Sequence, residues 1–276
     1  MEASFDFKMV KKYYHVSPEG AEHPVYQTAA TDLFRPALLR EALSESGNVV
    51  QATSLALPAS FMGISLCRLS LIQLLFAAAY DRLIDLSPEN LIYQVELHNK
   101  RAYLGYRIKE VRSVAIPSAP GDRDAFMTRH WQRYFTAFVT PALEKIAAAA
   151  DLKAEAIWQQ FGGQASHLKN FIQTHEPREA IVARFLRDCQ RLGELPAEWF
   201  NRKRNPYPHK PRYIENPLRA GEQWMLKSSC CLYDRRVNGT MCYTCPRMSA
   251  EAREQRKCEL LAAAAGAKAE PARRED

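Results

Sequence analysis

The chain has 276 residues, which is enough for one large domain or two small ones with a sizeable core. Hydrophobic residues make up 47% of it and charged residues 25%, as is ordinary for a soluble globular protein, and its seven cysteines are too few for a disulfide scaffold. The net charge of +7 is unevenly placed: residues 1–200 hold 22 basic and 22 acidic residues, 201–260 hold 13 and 6, and 261–276 hold 3 and 3. A basic surface is therefore expected near the C-terminus, where it would suit nucleic acid, an acidic electron donor or an anionic membrane.

The N-terminal region shows no clear motif. It begins Met-Glu-Ala-Ser-Phe-Asp, with an early acid and no apolar leader, so we expect a cytoplasmic protein. His15 and His23 have no regular spacing and are interpreted as turn or surface residues rather than metal ligands. Residues 31–47 predict a helix that is capped by Thr31 or Asp32 and ends at Gly47.

The stretch 55–80 is the most apolar part of the chain. Its length would allow it to cross a membrane, but Arg68 at its centre would be costly in lipid. Pro58 and Gly63 interrupt its first half, so we predict a turn followed by a buried helix from about Leu66 to Leu86.

The pattern changes to strands over residues 91–116. Apolar and polar residues alternate on both sides of Asn99-Lys100, which predicts a β-hairpin with its turn there. The run V-R-S-V-A-I-P predicts a third strand ended by Pro117, and 117–122 predict a linker.

Helical periodicity returns from Asp122. It predicts a helix with an aromatic stripe that is interrupted at Pro141, followed by a short helix to Ala150. The next predicted helix is broken by Gly162-Gly163, and further helices are predicted over 164–173 and 177–192. No dinucleotide-binding or P-loop motif occurs. Residues 201–213 predict an extended linker in which His209 is exposed, and 249–263 predict a charged helix capped by Ser249.

Four cysteines near the C-terminus form the most informative motif. Cys230 and Cys231 are adjacent, and after ten residues Cys242 and Cys245 form a C-x-x-C knuckle. Asn238-Gly239 between the pairs favours a tight turn that would bring the two pairs together. Four thiolates around one centre suit zinc or an iron–sulfur cluster.

The spacing leaves three alternatives open: a binuclear iron–sulfur cluster, zinc and a pair of disulfides. Structural zinc sites usually use two knuckles, and only one is present here, whereas two irons accept the diverging side chains of an adjacent pair more easily. Cys67 and Cys189 are in apolar helical patterns and are interpreted as buried bystanders, and Cys258 as a solvated thiol.

The pattern C-C-x(10)-C-x(2)-C, with Leu after the adjacent pair and Pro246 after the last cysteine, resembles the signature of the FhuF-like ferric-siderophore reductases. The resemblance covers about 45 residues well, and the stretch from Ala156 to Leu168 is similar to a helical region of the same family. It implies that Cys230, Cys231, Cys242 and Cys245 bind a 2Fe–2S cluster, with no catalytic residue identified beyond the cluster.

The resemblance also implies a function: reduction of Fe(III) held in a hydroxamate siderophore, so that Fe(II) is released in the cytoplasm. The expected partners are a ferric hydroxamate siderophore and a separate electron-donor protein or small reductant, without nucleic acid. Peripheral association with the inner membrane is a further expectation, because family members are described as membrane-associated. The alternative is a zinc- or iron–sulfur-stabilised binding or sensor protein that acts on nucleic acid or a protein partner.

Roles for residues around the cysteines follow from their chemistry. Tyr233 and Tyr243 are expected to shield the sulfurs from water, and backbone amides near Asn238 and Gly239 to donate hydrogen bonds to them. The positive field is expected from four side chains, namely Lys227, Arg235, Arg236 and Arg247.

The predicted fold class is α+β and predominantly helical, with a small antiparallel β-hairpin or sheet. Residues 1–200 are predicted to form the body and 201–220 a basic, Pro-rich linker. Residues 221–262 form the cluster-binding cysteine segment, and 263–276 a disordered tail. The substrate pocket is expected between the body and the cysteine segment.

Overall fold

A computed structural model describes residues 5–98 and 101–269 and confirms a predominantly helical α+β fold. Its helices are α1 (Lys8–Tyr14), α2 (Pro36–Val49), α3 (Ala56–Tyr80), α4 (Pro120–Tyr134), α5 (Thr140–Ala149), α6 (Ala154–Trp158), α7 (Phe161–His175), α8 (Glu179–Glu194) and α9 (Ala250–Ala269). Its strands are β1 (Val16–Ser17), β2 (Pro24–Ala29), β3 (Arg82–Ile84), β4 (Leu91–His98), β5 (Arg101–Ile108), β6 (Ser113–Ala115), β7 (Tyr213–Glu215) and β8 (Gln223–Met225).

Helix α3 is the centre of the core. It packs against α2, α5, α6, α7, α8 and β5. It is the one helix within the described residues that is long and apolar enough to cross a membrane, and 83% of its most apolar window is buried inside the protein. Its apolar composition is therefore explained by burial on all sides.

The predicted bounds of α3 were wrong at both ends. The helix begins at Ala56, so Pro58 lies in the first turn, where the missing N–H has no intrahelical partner in any case. Gly63 lies inside the helix at a point where α6 packs too closely for a side chain, since a Cβ there would be 2.2 Å from Ile157 Cγ2. The helix ends at Tyr80, after which Asp81 takes a left-handed φ of 51° and β3 begins.

The β-hairpin is confirmed, with β4 and β5 antiparallel from Leu91↔Ile108 to His98↔Arg101. Its predicted turn at Asn99-Lys100 lies outside the described residues. The sheet order is β1-β5-β4-β2, with β1 parallel to β5. The predicted third strand forms as β6, but it pairs with β3 in a separate two-stranded sheet.

Proline and glycine positions account for most other differences. Helix α2 begins at Pro36 rather than Thr31, because residues 30–34 form a 3-10 turn, and it continues through the buried Gly47. Helix α4 begins at Pro120, inside the predicted linker. Proline is favoured at the first position of a helix, where its fixed φ suits the turn.

The C-terminal helix α9 begins as predicted, since Ser249 Oγ accepts a hydrogen bond from the Ala252 N–H at 3.2 Å. It continues to Ala269, so residues 263–269 are helical rather than part of a disordered tail. The remainder of the predicted tail lies outside the described residues.

Candidate metal centre and adjoining pocket

The cysteine segment follows the β7–β8 hairpin and folds back on itself. Leu232 and Asn238 take left-handed φ values of 60° and 54°. The predicted turn at Asn238-Gly239 is present, and the Gly239 N–H donates to the Arg236 carbonyl at 2.8 Å. The Cys245 N–H donates to the Cys242 carbonyl at 2.8 Å, which closes the knuckle.

This path places the four cysteines in two interacting pairs. Cys230 interacts with Cys245, and Cys231 interacts with Cys242. Cys231 and Cys245 are buried, whereas the other member of each pair is partly exposed. None of the four forms a disulfide.

Zinc and a 2Fe–2S core make different demands on four cysteines. A tetrahedral zinc site needs four ligands about one point, whereas a 2Fe–2S core uses two thiolates on each of two irons. Among residues 5–98 and 101–269, no three Cys, His, Asp or Glu side chains are grouped closely enough to hold one metal ion. The four thiols are donors of the kind that either group uses.

Lys227 is the charged group closest to the sulfurs. Its Nζ lies 3.0 Å from Cys231 Sγ and 3.1 Å from Cys242 Sγ. Burial opposes its charge, but the two thiols outweigh burial and raise the pKa of Lys227. The hydrogen bond from Cys242 and the charge of Lys227 lower the pKa of Cys231, while the same hydrogen bond raises the pKa of Cys242.

Backbone groups complete the surroundings of the sulfurs, although they are not the ones predicted. The Leu232 N–H donates to Cys230 Sγ at 3.4 Å, whereas the Gly239 N–H donates to a carbonyl instead. Arg253 of α9 donates to the carbonyls of Tyr243 and Cys245, with an Nη2–O distance of 3.0 Å for Cys245. The sequence analysis missed Arg253, because its spacing from the knuckle follows no motif.

The residues predicted to surround the sulfurs fall into two groups. Tyr243 is buried against Trp224, and Tyr233 is stacked on Phe61 at 6.0 Å between ring centroids, with the Arg236 guanidinium 4.3 Å from the Tyr233 ring. Arg235 and Arg247 were also predicted to supply positive charge. Within the described residues, neither forms a contact with the sulfurs, whereas Lys227 does.

The loop between the cysteine pairs is fastened to the start of α3. The Thr53 N–H donates to the Arg235 carbonyl at 3.1 Å, the Val237 N–H donates to the Gln51 carbonyl at 2.9 Å, and Ala52 and Arg236 form a β-bridge. This backbone pairing holds the cysteine segment against the helical body.

The two glycines predicted to break a helix instead allow close packing. Gly162 and Gly163 lie within α7. A Cβ on Gly162 would be 2.7 Å from His209 Cβ, and one on Gly163 would be 2.5 Å from Ser228 Oγ. The Gly163 N–H also donates to Ser228 Oγ at 3.2 Å. The Gly-Gly pair therefore lets both the linker and the cysteine segment lie directly on α7.

The predicted linker is extended but anchored. Tyr207 is buried among Phe135, Phe161 and Phe200, and its hydroxyl is 2.7 Å from Ser70 Oγ. His209 is half-buried rather than exposed, and Cys67 and Cys189 are buried as predicted, with Cys258 exposed.

A pocket of about 650 Å³ lies between the helical body and the cysteine segment. This volume is within the usual range for small-molecule sites. Cys231 and Cys242 are on its wall, together with Lys227 and Tyr233, and the opposite walls come from α1, α3, β5 and α7. The pocket is where the sequence analysis expected one, although none of its residues from the body was predicted.

Two pocket histidines are held in the neutral form. Burial, helped by the charge of Arg68, lowers the pKa of His15 to about 4. Burial, with Lys227 and His209, also lowers the pKa of His167. The positive charge in the pocket therefore comes from lysine and arginine side chains.

No family model matches the chain, and neither does any curated protein.

Proposed function

We propose that the protein is a cytoplasmic ferric-siderophore reductase that binds a 2Fe–2S cluster through Cys230, Cys231, Cys242 and Cys245. The observation that carries the proposal is the pocket whose wall includes Cys231 and Cys242. A metal complex in that pocket would lie beside the sulfurs without any domain movement, and electron transfer requires such proximity.

The donor set supports the cofactor assignment. Four thiols within 16 positions supply the number that a binuclear core needs, two on each iron. The Leu232 N–H and the Lys227 ammonium reach sulfur atoms, and such hydrogen bonds and nearby charge tune the reduction potential of a bound cluster.

The proposed reaction is a one-electron step. A bound 2Fe–2S cluster supplies one electron at a time, and an external protein or small reductant replaces it. The electron converts Fe(III) in the siderophore to Fe(II) without forming or breaking a covalent bond in the ligand. Hydroxamate oxygens are hard donors that hold Fe(III) far more tightly than Fe(II), so reduction makes the iron labile. The chain's own residues bind the complex and exclude water.

Spectroscopy and metal analysis test the cofactor first. Protein purified without oxygen is expected to be red-brown, with about two irons and two sulfides per chain. After chemical reduction it should release Fe(II) from a ferric hydroxamate, as detected with a ferrous chelator. A colourless protein with one zinc, or a reduced cluster that leaves several ferric siderophores unchanged, would contradict the proposal.

Two cysteine variants test the ligand set. Cys231→Ser is expected to lower iron and sulfide content severalfold, because one iron loses a thiolate. Cys258→Ser is the matched control, since Cys258 is an exposed thiol on α9. An unchanged visible spectrum in Cys231→Ser would remove that residue from the ligand set.

A further inference from the structure

Arg68 contrasts with Arg123 and Arg202 of the core because it has no counter-charge. Arg123 is fully buried and paired with Asp81 at 2.8 Å and Asp188 at 2.7 Å, and Arg202 is paired with Glu144 at 2.6 Å. Within the part of the chain that the structure describes, Arg68 is half-buried and has no carboxylate partner, while its Nε lacks a hydrogen bond, as do those of Arg123 and Arg202. Burying a charge without pairing it is costly.

The pocket explains where a partner for Arg68 would come from. Arg68 extends from α3 to line the pocket. The titratable neighbours that act on it are Tyr14 and Cys67, and both are neutral at pH 7 because burial raises their pKa values. Arginine itself stays charged in proteins. Its guanidinium therefore presents an unsatisfied cation to whatever fills the cavity.

The rest of the lining is mainly cationic. Lys12 and Lys227 are the other cationic side chains of the pocket, and none of the described residues that line it is Asp or Glu, so the Cys231 thiolate is the anionic group on its wall. Gln164 of α7 adds an amide group that can donate a hydrogen bond to an oxygen atom, whereas the Gln160 amide already donates to Ser60 and Ala156. Phe61, Ile64 and Leu104 add apolar surface.

We infer that the pocket selects ferric complexes that carry a free carboxylate, and that Arg68 binds this carboxylate. The inference rests on the proposed function and narrows its substrate class from hydroxamate complexes in general to acidic ones. A guanidinium can bind a carboxylate through two parallel hydrogen bonds. This pairing supplies the missing counter-charge, and Lys227, which lies within 3.1 Å of two of the sulfurs, adds a second cation to the pocket wall.

Binding of redox-inert gallium(III) complexes tests the inference apart from electron transfer. Three complexes of one linear trihydroxamate would be compared, with a free amine, an acetylated amine or a succinylated amine at the chain end. They share the same metal coordination and end in a cation, a neutral group or a carboxylate. The carboxylate form is expected to bind the full-length protein at least about tenfold more tightly than the amine form, a difference of about 1.4 kcal/mol, because only the carboxylate can form a charge-assisted pair with the guanidinium.

Variants identify the residue responsible. Arg68→Gln is expected to remove most of the preference for the carboxylate form, and Lys12→Gln, at an exposed position on the pocket rim, to reduce it by a smaller factor. Arg40→Gln is the control, because it removes an equal charge from an exposed position of α2 that does not line the pocket. If Arg68→Gln does not fold, Lys12→Gln still tests the preference.

The outcomes separate the two proposals. Equal affinity for the three gallium complexes, or a preference that both pocket variants retain, overturns the inference. If the protein reduces the three ferric complexes equally well, the reductase proposal stands and the carboxylate preference fails. If it prefers the carboxylate form in gallium binding but reduces none of the ferric forms, the acidic-ligand site stands and the reductase proposal fails.

Discussion

At the scale of single residues, Cys242 and Lys227 together set how Cys231 behaves before any metal binds. The hydrogen bond from Cys242 and the Lys227 ammonium, which lies within 3.1 Å of both sulfurs, lower the pKa of Cys231 and so stabilise its thiolate. The thiolate form persists as pH rises above this lowered pKa and is lost as pH falls below it. Metal ligands must be deprotonated, so the site is prepared for metal at neutral pH.

Alkylation of the metal-free protein tests this effect. Cys231 is expected to react with iodoacetamide below the pH range of an ordinary thiol in wild-type protein, and Lys227→Met should move its pH profile to higher pH. The exposed Cys258 provides an internal control in the same chain. If Cys231 and Cys258 have the same pH profile in wild-type protein, the low pKa is refuted.

Arg253 is the second residue with a distinct local role. It binds the carbonyls of Tyr243, Cys245 and Met248, and so holds the knuckle to α9. Arg253→Met is expected to speed iron loss from the proposed cluster to a chelator severalfold, because the freed carbonyls loosen Cys245, the last of the proposed ligands. Arg247→Met removes the same charge from an exposed neighbouring position without these contacts. Equal rates of iron loss in the two variants would show that the lost positive charge, and not the lost hydrogen bonds, causes the effect.

At the scale of elements, α7 is built to receive other segments closely. Gly162→Ala is expected to destabilise the protein by about 1–3 kcal/mol, because the added methyl meets His209 Cβ and the Pro206 carbonyl. Gly121→Ala is the matched control, since it lies in α4 with open space around the new Cβ and should be neutral or stabilise by up to about 1 kcal/mol. Chemical denaturation measures both, and similar effects would argue against close packing at Gly162.

The same elements show what sequence periodicity can and cannot predict. The hairpin strands β4 and β5 were predicted well because their alternation is local. The continuity of α3 through Pro58 and Gly63, and of α7 through Gly162-Gly163, depends on which neighbours pack there. Both glycine sites favour a break in isolation, and tertiary packing overrides that preference.

The candidate site also combines features that the sequence could predict with features that depend on tertiary packing. The four cysteines and the turn at Asn238-Gly239 could be found from the sequence because their spacing is local. Arg68 counted in the sequence only as an obstacle to a membrane span, and its place in the pocket depends on how α3 packs against the cysteine segment. No spacing rule connects residues that are more than 150 positions apart.

At the scale of the whole molecule, His130 makes folding sensitive to pH. It is half-buried beside Gln73 Oε1, and this burial lowers its pKa to about 4. The unfolded chain takes up a proton near pH 6.5 and the folded protein does not, so this contribution is complete above pH 6.5 and is lost as pH falls toward 4.

Denaturant unfolding at two pH values measures the effect. Lowering the pH from 7.5 to 5.5 is expected to lower the free energy of unfolding by about 1.4 kcal/mol, because His130 takes up a proton only in the unfolded chain. His130→Gln should abolish this contribution. His23→Gln, at an exposed position, should leave the pH dependence unchanged. If His130→Gln keeps the full dependence, the histidine is not the group that titrates.

The pocket between the body and the cysteine segment also has a consequence for divergence of the sequence. Its cysteine wall comes from residues 227–242, while its other walls come from stretches that end by residue 167. Substitutions in the earlier stretches can therefore change which molecule is accepted while the cysteine motif stays constant. Descendants of one ancestral chain could thus share the C-terminal motif and little else, each fitted to a different ligand.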